Sequence, residues 1–313
     1  MLVLKGVRRR IESLAFSPDG AELAVGGGNE PVERWDTFSG LLLPAHDPPD
    51  PVVSTPNALC YNPAGGWLYA AVQGNGFRAY RPDGVTAASP LGLPEQMTGY
   101  VSALAASADG RRVLVGFSGP YRVAAFDQPA DGPPAFSWAR STTIPGDPSP
   151  PGYVRSLAAF PDGRRFASVE LLFPGSPRLV VRAVESGEVL RVIPSPLAYP
   201  EEAAVSKDGS LLALRTGMSV HVYAAGDLGA RPTKLLNDNR RHFTGVAFHP
   251  SGGSLAATSN DATVKLYDTA TWQVARAFTW QVGGLRSVAF SPDGSLAAAG
   301  TDSGRVVLWD ADE

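Results

Sequence analysis

Apolar and polar positions alternate along this chain in short runs, and one recurrent turn joins the runs in pairs. "SLAFSPDGAELAVGG" (Ser13–Gly27) and "SVAFSPDGSLAAAGT" (Ser287–Thr301) each place apolar stretches on both sides of Ser-Pro-Asp-Gly. Pro presets φ near −65° for an early turn position, and Gly tolerates the positive φ of a later one. Each stretch therefore reads as a β-hairpin. Relatives of the corner stand between the two: "CYNPAGG" (Cys60–Gly66), "AASADG" (Ala105–Gly110), "AAFPDG" (Ala158–Gly163), "AVSKDG" (Ala204–Gly209) and "AFHPSGG" (Ala247–Gly253). That makes seven corners, and the 274 residues from Asp19 to Asp293 fall into six steps of about 46. Self-similarity at this period marks a propeller or a solenoid.

About 17 residues after each corner, an apolar strand ends in an aromatic residue, often followed by Asp. The pairs are Trp35-Asp36, Tyr80-Arg81, Phe126-Asp127, Tyr223-Ala224, Tyr267-Asp268 and Trp309-Asp310, and the fourth unit departs with Arg182-Ala183. The pattern resembles the WD-repeat (WD40-type) family of β-propellers over nearly the whole chain, most specifically in units 1, 6 and 7. The resemblance implies an all-β, seven-bladed propeller of four-stranded antiparallel blades, forming one domain over residues 1–313. It also implies scaffold work for protein or peptide partners. The Gly-His dipeptide that often opens a family repeat is absent. The buried Asp–His–Ser–Trp hydrogen-bond chain that it supports is therefore not expected.

The two ends belong together on this reading. Each unit supplies three inner strands and then an outer one, but the last unit stops after "RVVLWD" (Arg305–Asp310). "MLVLKG" at the start is too short for a secretory signal and reads as a strand. Leu2–Lys5 is expected to pair with Val306–Trp309 and close the ring, so that closure requires no further domain. Closure hides edges that would otherwise template aggregation.

Composition adjusts this picture only slightly. A length of 313 residues suggests two domains, but the repeat overrides that prior. No stretch reaches the roughly 18 apolar residues of a membrane helix. A net charge of −3 offers no global basic field for nucleic acid. The single Cys60 rules out an internal disulfide and reads as a small apolar strand residue, compatible with a reducing compartment. A cytoplasmic monomer that binds neither nucleic acid nor membrane is expected.

Catalytic spacing is absent: no CxxC, HExxH, GxSxG or P-loop pattern occurs. His46 falls in a Pro-rich loop, His249 in a corner, and His221 at the start of an inner strand. No catalytic, cofactor-binding or metal residue is expected, and no cofactor. The alternative is a propeller enzyme, hydrolase or lactonase-like, acting on a small molecule or glycan in the channel. Its carboxylates would be Glu12 and Glu201, and a glycosidase needs such a pair about 5–10 Å apart.

Aligning the units on their corners gives equivalent positions where the chain leads into each first strand. Three residues before Ser13 and its equivalents stand Arg10, Thr55, Tyr100, Tyr153, Tyr199, His242 and Gly284. One residue before stand Glu12, Asn57, Ser102, Arg155, Glu201, Thr244 and Arg286. Tyr on three consecutive blades suits a binding rim, since Tyr combines apolar area with a polar tip. The lengthened turn "ELLFPGSPR" (Glu170–Arg178) is expected to expose Leu171, Leu172 and Phe173 on the same face. Val7–Arg10, Asn239–His242 and Arg286 put Arg on adjoining blades, a sector fit for an acidic peptide or phosphate. The expected partner surface is therefore Tyr100, Tyr153, Tyr199, Leu171, Leu172, Phe173, Arg10, His242, Arg155 and Arg286.

Overall fold

The computed structural model describes residues 1–5, 10–27, 30–44, 59–71, 76–81, 86–87, 100–118, 122–130, 132–146, 152–172, 177–194, 199–237 and 241–311. Among these residues there are 27 strands and no helix. The first, β1 (Leu2–Lys5), stands apart from its neighbours in sequence. Blade 1 holds β2 (Ser13–Phe16), β3 (Glu22–Gly27) and β4 (Glu30–Asp36), with Leu42 bridging to Trp35. Blade 2 holds β5 (Leu59–Tyr61), β6 (Leu68–Ala71), β7 (Phe77–Tyr80) and β8 (Thr86–Ala87). Blade 3 holds β9 (Val101–Ala106), β10 (Arg112–Phe117), β11 (Arg122–Asp127) and β12 (Ala135–Ser141). Blade 4 holds β13 (Tyr153–Ala159), β14 (Arg165–Leu171), β15 (Arg178–Ala183) and β16 (Val189–Pro194). Blade 5 holds β17 (Glu202–Val205), β18 (Leu211–Arg215), β19 (Ser219–Ala224) and β20 (Thr233–Leu236). Blade 6 holds β21 (Phe243–Phe248), β22 (Ser254–Ser259), β23 (Thr263–Asp268) and β24 (Val274–Thr279). Blade 7 holds β25 (Leu285–Phe290), β26 (Leu296–Thr301) and β27 (Arg305–Asp310), completed by β1. The predicted closure is present, in the register Leu2↔Leu308 to Lys5↔Arg305.

The corners show why one phrase recurs. Ser17 Oγ donates to Asp19 Oδ1 at 2.5 Å and accepts from Glu22 N at 2.9 Å, while Gly20, at φ 74°, donates its N–H to Ser17 O. The same Ser–Asp bond closes the corners at Ser107–Asp109, Ser206–Asp208 and Ser291–Asp293. Asp of the aromatic-Asp pair acts likewise: Asp36 accepts from Ser39 N at 2.7 Å, and Asp268 from Thr271 N at 2.8 Å. Short polar side chains thus satisfy turn backbone that cannot join a ladder.

The core lies between blades. One apolar cluster joins Leu4, Val306 and Leu308 of blade 7 to Leu23, Val25 and Trp35 of blade 1. Others join blades 4 and 5, and blades 6 and 7, in the same way. Small residues allow the approach. A Cβ on Gly116 of β10 would stand 2.5 Å from Val154 Cγ1 of blade 4. Blade 4 departs from the aromatic pattern because Arg182 fills the aromatic's place opposite Phe166 and is itself fully buried.

Candidate functional site

The first strands of the blades surround the channel, and the two ends of that channel differ in chemistry. At the corner end the wall includes Cys60, Ala105, Ala158, Ala204, Ala247 and Ala289, which are equivalent positions of six blades. Cys60 is half-buried there, and burial pushes its thiol up to about 12. Leu104 and Leu157 line both ends. The mouth at the other end is a cavity of about 200 Å³ lined by Arg10, Glu12, Arg155, Glu201, Glu202, Thr244, Arg215 and Arg286 among others.

Local backbone irregularity aims several of these side chains. In blade 4, Val154 pairs with Glu170 and Ser156 with Val169, so Arg155 is an extra residue without a cross-strand partner. In blade 7, Leu285 pairs with Thr301 and Ser287 with Gly300, which leaves Arg286 in the same state. Ser102 and Thr244 are the corresponding extra residues of blades 3 and 6. Such β-bulges redirect a side chain and are common beside functional sites. Of the series one residue before each Ser13 equivalent, Glu12, Arg155, Glu201, Thr244 and Arg286 line the mouth.

The carboxylates of the mouth are already engaged. Arg10 Nε pairs with Glu12 Oε1. Arg215 Nη1 pairs with Glu201 at 2.8 Å, and its Nε with Glu202 at 3.0 Å. Burial pushes the Glu202 carboxyl up, against the pull of Arg215. Glu202 and Arg215 are direct cross-strand neighbours. Where they stand, blades 1 and 7 carry the pairs Ser13–Gly26 and Ser287–Gly300. Arg155 and Arg286 differ: among the described residues neither has an ion-pair or hydrogen-bond partner, and Arg286 Nε is buried without one.

The rim residues differ in exposure. Tyr100 is 63% exposed and Tyr199 64% exposed, each just before its first strand. Tyr153, half-buried, opens β13. Tyr199 has φ 57°, a left-handed conformation uncommon for a residue with a side chain. His242 is exposed, and its N–H donates to Asn260 Oδ1 at 3.1 Å. Arg10 is exposed beside Glu12.

One expectation is corrected. Leu171 and Leu172 do not form an exposed apolar turn: Leu171 is the last residue of β14, and both side chains are buried, at 5% and 2% exposure. Gly152 lies directly against them, which covers this end of the blade. Arg10 and Arg286 of the Arg sector line one cavity, and Arg155, three blades from Arg286, lines it too. Phe173, Arg8, Arg9, Arg240 and His46 lie outside the described residues. Sequence reasoning missed Arg215 and Glu202, although a charge ending the apolar run "LLALR" (Leu211–Arg215) was a visible signal.

Among the described residues no three His, Cys, Asp or Glu side chains gather as a metal site, and no helix is long and apolar enough to cross a membrane. Among the described residues the buried Trp309 Nε1 of blade 7 has no hydrogen-bond partner.

Seven radial blades, an inter-blade core and strand-exchange closure define a seven-bladed β-propeller. The family model "WD domain, G-beta repeat" matches residues 232–268 and 273–310. Both matches begin with the outer strand of one blade and end with the third strand of the next, the offset that makes β1 the outer strand of blade 7. A WD repeat-containing protein of Synechocystis is 27% identical over 150 residues, 48% of this chain and 41% of that protein. The chain thus spans about two-fifths of the curated relative it matches. Fold, repeat and matches agree: the chain is a seven-bladed β-propeller, and its stretch from 232 to 310 matches the WD repeat.

Proposed function

We propose that this propeller is a non-enzymatic platform in the cytoplasm that receives a protein or peptide on its channel-mouth face. The reading is supported by the mouth, a charged cavity, and by the exposed Tyr100 and Tyr199, each of which stands just before the first strand of its blade. Exposed aromatics around a recess supply the central anchors that dominate binding energy at interfaces. The enzyme alternative would rest on Glu12, Glu201 and Glu202. Their engagement by Arg10 and Arg215 leaves no carboxylate of the three without a cation, which favours the platform. The test is capture of partners from the native cell by wild-type protein and by the Tyr100→Ala, Tyr153→Ala, Tyr199→Ala triple variant, matched for melting temperature. Loss of specific partners is expected, and undiminished capture of every partner would move the binding surface elsewhere on the ring.

A further inference from the structure

Four guanidinium groups and three carboxylates line the mouth, and the pairing among them is uneven. Arg10 is taken by Glu12, and Arg215 by Glu201 and Glu202 together. Two cations remain. Arg155 and Arg286 each occupy a bulge, each line the same cavity, and neither meets a carboxylate among the described residues. Arg286 is half-buried, and its Nε is shut off from bulk water with no acceptor among the described residues. A desolvated donor without an acceptor costs stability, so its presence at a cavity wall marks a place where an acceptor arrives from outside. Guanidinium groups present paired donors that suit carboxylate and phosphate oxygens.

We propose that the mouth holds an oxyanion-bearing side chain of a bound peptide, gripped between Arg155 of blade 4 and Arg286 of blade 7. The inference rests on the platform reading and adds the chemistry of the anchor. The cavity of about 200 Å³ accommodates one side chain, not a folded element. Thr244, on the corresponding bulge of blade 6, adds a hydroxyl to the same wall. Ser102 does not compete for the anion, because its hydroxyl donates to Val154 O at 2.5 Å, which also ties blade 3 to blade 4.

The anion can be a carboxylate or a phosphate, and the probes separate these sources. Acetylated, amidated five-residue peptides carrying Glu, phosphoserine, Gln or Ser at the centre, along with inorganic phosphate alone, are titrated into the full chain by calorimetry. One site per chain is expected for at least one of the Glu and phosphoserine peptides, and at least tenfold weaker binding for the Gln and Ser controls. Inorganic phosphate is expected to compete for that site. Arg155→Gln and Arg286→Gln should each weaken binding at least tenfold. Arg111→Gln, on the corner face where the side chain is 85% exposed, should leave binding unchanged. Melting temperature provides the second readout. Arg286→Gln should melt at or above wild type, because it removes a desolvated Nε that has no acceptor among the described residues. Equal binding by all four peptides, no binding by any, or unchanged affinity in both Arg variants overturns the proposal. A marked fall in melting for Arg286→Gln also overturns it, by showing that this Arg has a structural partner. Failure here, with the Tyr variant still losing its partners, leaves the platform standing without this anchor.

Discussion

Glu170 Oε1 accepts from Arg182 Nη2 at 2.9 Å inside blade 4, where the other six blades bury an aromatic ring at the position of Arg182. The same carboxylate accepts from Arg178 Nε at 2.9 Å through Oε2, and Arg178 also donates to Thr142 O. Two guanidiniums thus depend on one carboxylate, and all three side chains are buried. Glu170→Gln should destabilise the chain by about 3–5 kcal/mol, because it leaves two desolvated cations uncompensated. A triple variant with Glu170→Leu, Arg178→Met and Arg182→Tyr should recover most of that loss. Urea unfolding of the three proteins decides it; a Glu170→Gln midpoint equal to wild type would remove the triad from the account of blade 4.

Closure carries its own expectation. Deleting residues 1–5 uncovers the outer edge of β27 and removes Leu4 from its cluster with Val306 and Leu308. Aggregation or a large fall in melting temperature should follow. Leu4→Ala, a milder lesion in the full chain, should cost about 2–5 kcal/mol. A truncated chain that melts within about 2 °C of wild type, well under 1 kcal/mol for a domain of this size, contradicts the role given to β1.

Blade spacing is tested at Gly116. An alanine there would put Cβ 2.5 Å from Val154 Cγ1 and 2.8 Å from Val154 Cβ. Overpacking of this kind costs about 1–3 kcal/mol. Val154→Ala in the same chain should relieve the clash, so the double variant should be more stable than the sum of the singles predicts. Strict additivity would place the cost in the strand itself, not between blades.

Acid sensitivity follows from the corners. Hydrogen bonds from Ser206 and Ser210 hold the Asp208 carboxyl down to about 2, from an ordinary 3.8. Asp19 and Asp293 are lowered for the same reason, led by Ser17 and Ser291. The unfolded chain therefore takes up protons at a higher pH than the folded one. The contribution is complete above about pH 4 and is lost as the pH falls through the folded values. Asp208→Ala should lower the melting temperature by a constant amount from pH 5 to 7, and the gap should narrow toward pH 2. A gap that keeps its size in acid would show that the carboxylate's charge is not what the corner uses.

Legibility in the sequence followed the physics of each feature. Corners were readable because turn geometry admits few residue types, and closure because one strand was missing where one was left over. The rim Tyr residues were readable by position in the repeat. Leu171 and Leu172 were misplaced because an apolar triplet near a long turn looks exposed until β14 is seen to run through Leu171. Arg155 was visible as a member of a series and Arg286 also as part of an Arg sector; their aim depends on bulges, which depend on cross-strand register and not on local residue type. Glu202 and Arg215 escaped because charges in an inner strand pair are tolerable only through their contact with each other.

The β1–β27 seam also sets an order of events during synthesis. β1 leaves the ribosome before the other described strands, yet its partner is the last of them, so the seam is the longest-range pairing among the described strands. Domains emerging from the ribosome assemble from the N-terminal side. Blades 1 to 6 can dock on one another while β1 waits unpaired. Translation halted before Arg305 yields an open arc with two raw flanks. Sealing the ring therefore works as a completeness check, since only a chain read through its seventh blade conceals both flanks from other nascent chains.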